Sequence, residues 1–173
     1  GKGQYGEGDM FLGVMVPDTR RVAKAYRKIG FLEIKKLLDS KYHEERLLGL
    51  LILVENFVIG NEKEKEKIYK FYIKNRKRVN NWDLVDLSAP KIVGGYLNKK
   101  DKRILYKFAK SKNLWERRIS ILSTLHFISK NNFTETMKIA EMLISDKQDL
   151  IHKAVGWMLR EVGKRSLSAE EDF

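Results

Sequence analysis

The sequence predicts an all-α chain built as a helical-repeat solenoid, and three observations carry that expectation. Apolar residues recur at helical spacing in almost every stretch after residue 16. The breaks between these stretches are short and polar, such as Asn80-Asn81, Ser111-Lys112-Asn113 and Ser145-Asp146-Lys147-Gln148. No stretch sustains a period-two alternation, which leaves no strand from which to build a sheet.

Taken in order, the chain opens with five of its twelve glycines in the first thirteen residues, so residues 1–16 read as a glycine-rich arm. Pro17 is tolerated in the first turn of a helix carrying Val22, Ala25, Tyr26 and Ile29, and Gly30 ends it. A short helix from Phe31 to Leu38 follows. Asp39-Ser40 then offers capping chemistry to a long helix from about His43 to Val58, with Leu47, Leu50, Leu51, Val54 and Phe57 on its apolar face and Gly60-Asn61 as its stop. Further helices are expected over Glu62 to Lys77, Trp82 to Gly94, Asp101 to Lys110, Leu114 to Ser129, Phe133 to Ile144 and Asp149 to Lys164. His43, Trp82, Trp115 and Ile151 open the long helices at intervals of 39, 33 and 36 residues. That period fits stacked HEAT-like or armadillo-type helix pairs whose second helices line a concave basic groove. The expectation is one domain over 17–165 and a short tail over 166–173.

With 173 residues, 43% of them hydrophobic, the chain can bury a real core; 34% charged residues exceed the roughly 25% of an average domain. The absence of cysteine excludes a disulfide scaffold, a thiolate nucleophile and thiolate metal sites. The three scattered histidines, His43, His126 and His152, argue against a histidine-built metal centre, so no metal or other cofactor is expected. The longest apolar run, Leu47 to Val54, is too short for a bilayer and no signal-peptide pattern opens the chain, so a cytoplasmic protein is expected. Lys and Arg outnumber Asp and Glu by 35 to 23, a net charge of +12. The surplus is uneven: Lys91 to Lys130 holds eleven cations against Asp101 and Glu116. The Glu62 to Lys67 alternation reads as an exposed helix face, whereas Lys99, Lys100, Lys102, Arg103, Lys107, Lys110 and Lys112 read as a surface for a polyanion such as duplex DNA.

The most unusual stretch is Asn80-Asn81-Trp82-Asp83-Leu84-Val85-Asp86-Leu87-Ser88-Ala89-Pro90. Trp82 and Asp86 are four residues apart and share one helix face. Spacing alone leaves two readings: a core Trp with Asp83 favouring the helix N-terminus, or a site in which an indole and a carboxylate act together. Trp115, Trp157 and the Arg117-Arg118 pair fall on the next two inner helices, and of the three tryptophans Trp115 is the one expected in the core.

These segments, with Leu-Trp-Glu-Arg-Arg-Ile-Ser (114–120), His-Lys-Ala-Val-Gly-Trp-Met-Leu-Arg-Glu-Val-Gly-Lys (152–164) and Gly-Val-Met-Val-Pro-Asp-Thr-Arg-Arg (13–21), resemble the AlkD-like DNA alkylation repair family of HEAT-like-repeat DNA glycosylases. The resemblance implies hydrolysis of the N-glycosidic bond of N3- or N7-alkylated purines in duplex DNA, by a monomer, without insertion of the damaged base into a protein pocket. It implies Asp86 as the catalytic carboxylate, Trp82 and Trp157 as the aromatic pair on the lesion's sugar and backbone, and Arg118 as a phosphate ligand. Arg117, Lys112, Lys153 and, in the arm, Tyr5 complete the expected DNA contacts. An alkylated purine is a cationic leaving group, so what remains is to stabilise an oxocarbenium-like sugar and to place a water. Two other functions compete: a DNA-binding paralogue without catalysis, and a scaffold for an acidic protein.

Overall fold

The computed structural model describes residues 8–171 and residue 173. It resolves into two compact units, the first ending at Ser88 and the second beginning at Ala89. All regular structure among the described residues is helical; the one β-type contact is an isolated parallel bridge between Met10 and Tyr42. No described helix is long and apolar enough to cross a membrane.

The first unit contains α1 (Val16–Ala25), α2 (Phe31–Leu38), α3 (His43–Ile59), α4 (Glu62–Asn75), a 3-10 turn (Arg76–Arg78) and α5 (Trp82–Ala89). Helix α3 is its centre and packs against α1, α2 and α4. That position explains its composition: Leu47, Leu50, Leu51, Ile52, Leu53, Val54 and Phe57 are all buried, more than one stripe's worth. Each such side chain contributes about 1.5–3 kcal/mol relative to an exposed one.

Helix α1 stops at Ala25, short of the expected Gly30. The Asn56 side chain on α3 donates to the Arg27 carbonyl at 2.8 Å and fixes the chain in a turn there. Gly30 instead precedes α2, in extended conformation. The expected Asp39-Ser40 cap is also replaced. Asp39 pairs with Lys35 on its own helix and with Arg78 at 2.8 Å, while the first amide of α3, that of His43, donates to the Met10 carbonyl at 2.8 Å. Helix α4 opens with a capping box: the Asn61 side chain accepts from the Glu64 amide, and the Glu64 carboxylate accepts from the Asn61 amide. Removing it as Asn61→Ala is expected to cost about 1 kcal/mol in a denaturant titration.

The second unit opens with a π-helical turn (Pro90–Gly94), followed by α6 (Gly95–Leu97), α7 (Arg103–Ala109), α8 (Leu114–Ile128), α9 (Thr134–Leu143), α10 (Asp149–Gly163) and α11 (Leu167–Glu171). The single helix expected from Trp82 to Gly94 is therefore broken in type at Ala89. Pro90 has no N–H to give to the carbonyl four residues back and its ring crowds that carbonyl, so the ladder widens by one residue. Helix α8 packs on the π turn, α7, α9 and α10, while α7 also meets α9. First helices thus contact first helices and second contact second, the pairing a helical repeat requires. The core is formed by Ile92, Val93, Leu105, Ile119, Leu122, Phe127, Ile139, Ile151, Val155 and Met158 among others. Gly94 makes a close crossing: a Cβ there would lie 2.2 Å from the Ser123 carbonyl oxygen.

Candidate functional site

In the first unit the candidate residues stand on the first turns of α5. Trp82 is 44% exposed, unusual for an indole, so the core reading of this Trp does not hold. Asp86, one turn further, is half-buried. Beneath it Tyr72 and Ser88 share a hydrogen bond of 3.1 Å, and Ser88 donates to the Leu84 carbonyl. Burial, together with the Asp86 charge, pushes the Tyr72 phenol far above its ordinary pKa, so it stays protonated as a rigid floor.

What fixes the start of α5 is a buried network that the sequence did not single out. Asn81, 3% exposed, accepts the Trp82 amide proton on its side-chain oxygen at 2.7 Å and donates through its side-chain nitrogen to Asp9 Oδ2 at 2.5 Å. The other Asp9 oxygen accepts from Arg46 at 2.5 Å, and Arg46 also donates to the carbonyls of Ser40 and Lys41. Asp83 Oδ2 lies 2.7 Å from His43 Nε2, and Asp83 Oδ1 accepts the Leu84 amide proton at 2.7 Å. His43 Nδ1 faces Asp9 Oδ2 at 3.4 Å, with the Phe11 ring packed on the imidazole. Glu44 completes the attachment of residues 9–13 by accepting the amides of Leu12 and Gly13, each at 2.9 Å; Gly13 lies in the left-handed region, φ 80°, where the chain turns toward α1. Part of the glycine-rich arm is therefore a docked strap across α3. Tyr5 lies outside the described residues.

Burial lowers the His43 pKa, but the hydrogen bond to Asp83 and the charges of Asp83 and Asp9 outweigh burial and the Arg46 charge, and the net direction is upward from 6.5. A raised folded pKa stabilises the fold fully below the unfolded value, and that stabilisation is lost as pH rises through the folded pKa. The thermal midpoint is thus expected to fall on raising the pH from 6.5 through that point, and this slope should vanish in His43→Gln.

In the second unit the candidates lie on α8 and α10, which pack together. Asn113 caps α8, accepting the amides of Trp115 at 2.8 Å and Glu116 at 3.2 Å. Trp115, the expected core tryptophan, is half-buried rather than enclosed, because it sits in the opening turn of α8. Arg117 forms a two-point pair with Asp146, at 2.6 and 3.3 Å, and donates to the Ser111 carbonyl at 2.9 Å. Its guanidinium thus ties α8 to the loop before α10. Arg118 is only 4% exposed and donates to the Leu150 carbonyl. Trp157 is half-buried on α10. The hydrogen bond from Lys164 outweighs burial and, with Arg165 and to the smallest extent Trp157, holds the Glu161 carboxyl below its usual range. Lys153 is exposed and pairs with Asp149 at 2.9 Å, and Lys112 is exposed at the end of the loop before α8. Among the described residues no group of His, Asp and Glu could hold a metal ion.

The two sets are thus Trp82 and Asp86 in the first unit and Arg117, Arg118, Lys153 and Trp157 in the second. The residues missed, Asp9, His43, Arg46 and Asn81, left one readable trace: a charged His43-Glu44-Glu45-Arg46 start on an otherwise apolar helix.

An all-α helical-repeat chain with an exposed indole and a carboxylate one turn apart is the class of protein the structure defines. A family model described as "DNA alkylation repair enzyme" matches residues 2–173, and the chain belongs to that family. Its fold is shared with a solved structure titled "Predicted DNA alkylation repair enzyme from Enterococcus faecalis", at a TM-score of 0.75 and 19% identity over 95% of this chain and 80% of that one. No curated protein sequence matches the chain.

Proposed function

We propose that the protein is a DNA glycosylase that hydrolyses the N-glycosidic bond of N3- or N7-alkylated purines in duplex DNA. The observation that carries this reading is the pairing of exposed Trp82 with Asp86 one turn along α5, in a chain of the alkylation repair family. The alkylated base leaves as a neutral purine, and positive charge grows on the sugar as the bond breaks. The Asp86 carboxylate stabilises that charge and orients the attacking water. The indole face of Trp82 attracts the same charge, worth about 0.5–2 kcal/mol, and excludes bulk water.

Trp157 takes the corresponding aromatic role in the second unit, with Lys112 and Lys153 as phosphate contacts. Arg118 is the phosphate ligand of this reading, its guanidinium oriented by donation to the Leu150 carbonyl. Arg117 contributes by holding α8 in place through Asp146. The protein acts as a monomer, in the cytoplasm.

The test is incubation with duplexes carrying one N7-methylguanine, one N3-methyladenine or no lesion. Free base from a lesion duplex, with none from the unmodified one, is the expected result. Lesion-independent binding with no release from either lesion would overturn the reading in favour of a non-catalytic DNA-binding protein. Absence of any duplex binding that weakens linearly in log affinity with log salt would favour a scaffold for acidic proteins.

A further inference from the structure

The buried polar cluster under the first turn of α5 is larger than capping requires. It joins the strap residue Asp9, His43 and Arg46 of α3, and Asn81 and Asp83 at the start of α5. Two carboxylates face two basic side chains. His43 Nδ1 is buried and makes no hydrogen bond, yet it faces Asp9 Oδ2 at 3.4 Å. With Nε2–H directed at Asp83, a neutral ring would turn the bare Nδ1 lone pair on a carboxylate. The arrangement is favourable only when Nδ1 also carries a proton and the ring is an imidazolium shared by both acids.

We propose that His43, as an imidazolium between Asp9 and Asp83, is the positioning residue of the site, setting the first turn of α5 and with it Trp82 and Asp86. The proposal rests on the glycosylase reading for its consequence, though not for its geometry. Asp83 is held directly by His43, and Trp82 through Asn81, whose side chain spans from the Trp82 amide to Asp9. The groups facing His43 are Asp9 from the strap, Asp83 from α5 and Arg46 from its own helix, with Phe11 as the apolar wall. Loss of the His43 proton leaves Arg46 alone against both carboxylates. The strap and α5 then separate slightly, and Trp82 loses its fixed orientation. A misplacement of about 1 Å at a reacting centre costs up to about a hundredfold in rate.

The experiment follows the ring nitrogens of His43 and the indole N–H of Trp82 by 15N NMR from pH 6 to 8.5, with Trp82→Phe to assign the indole. In parallel, single-turnover release of N7-methylguanine is measured for wild type and for His43→Gln, which can still donate to Asp83 but carries no charge. The expected result is a doubly protonated His43 at pH 6, a Trp82 resonance that moves with the His43 midpoint, and a wild-type rate that falls at least tenfold through the same midpoint. His43→Gln should keep its helical circular dichroism and show a low rate without that alkaline step. A neutral His43 tautomer at pH 6, a Trp82 resonance indifferent to the His43 titration, or a wild-type pH profile in His43→Gln would each overturn the proposal. If Trp82 follows His43 but wild type releases no base at any pH, the positioning of α5 stands and the glycosylase reading falls.

Discussion

Asp86→Asn is expected to lower the single-turnover rate of base release by about 10²–10³-fold, the range seen when one preorganised electrostatic partner of a transition state is removed. The substitution is isosteric and neutral. Asp86 is half-buried on α5, so Asn fits the same space and the Tyr72–Ser88 floor beneath is kept. What disappears, on the glycosylase reading, is the negative charge that faces the sugar as it becomes cationic. Affinity for intact duplex should stay within about twofold, because a carboxylate repels the phosphate backbone rather than binding it. Rate and affinity moving together would assign Asp86 to binding; the rate moving alone assigns it to the chemical step. Trp82→Ala should act in the same direction more weakly.

Gly94→Ala is expected to destabilise the protein by about 3 kcal/mol, at the upper end of what overpacking a core costs. The added Cβ would lie 2.2 Å from the Ser123 carbonyl oxygen and 2.8 Å from the His126 Cβ. The nearest obstacle is the backbone of α8, which cannot yield as a flexible side chain would. It is also the helix on which α7, α9 and α10 all pack. The loss should appear as a fall of several degrees in the thermal midpoint. Gly156→Ala is the matched control: it lies on α10 with nothing within 4 Å of the added Cβ. There, filling a helical glycine should stabilise by about 0.5–1 kcal/mol.

Most of the fold was legible because its helices are long, amphipathic and separated by short polar turns. The starts expected at Phe31, His43, Glu62, Trp82, Leu114 and Asp149 are the observed ones. Termini governed by tertiary partners were not. Helix α1 ends where Asn56 captures the Arg27 carbonyl, and α3 is capped by Met10 from a segment with no periodicity to reveal it. Pro90 was visible, but its consequence, a π turn rather than a continued α-helix, depends on how the chain absorbs a missing donor.

The site was legible only in part, for a similar reason. Trp82 and Asp86 are four residues apart, so helical spacing alone places them together. The network beneath them joins residues 9, 43, 46, 81 and 83, and no local pattern connects an aspartate in a glycine-rich arm to a histidine 34 positions later. At Arg117 the guanidinium pairs with Asp146, 29 residues further along the chain. Charge is visible in a sequence; whether it is already neutralised by a partner is not.

Glycosylase activity is tested by the product stoichiometry of wild type with a duplex holding one N7-methylguanine, under single turnover at pH 6.5. One free base and one abasic site are expected for each lesion lost, with the phosphodiester backbone intact. Bound duplex with the lesion still attached at long times, or strand cleavage without free base, would contradict that activity.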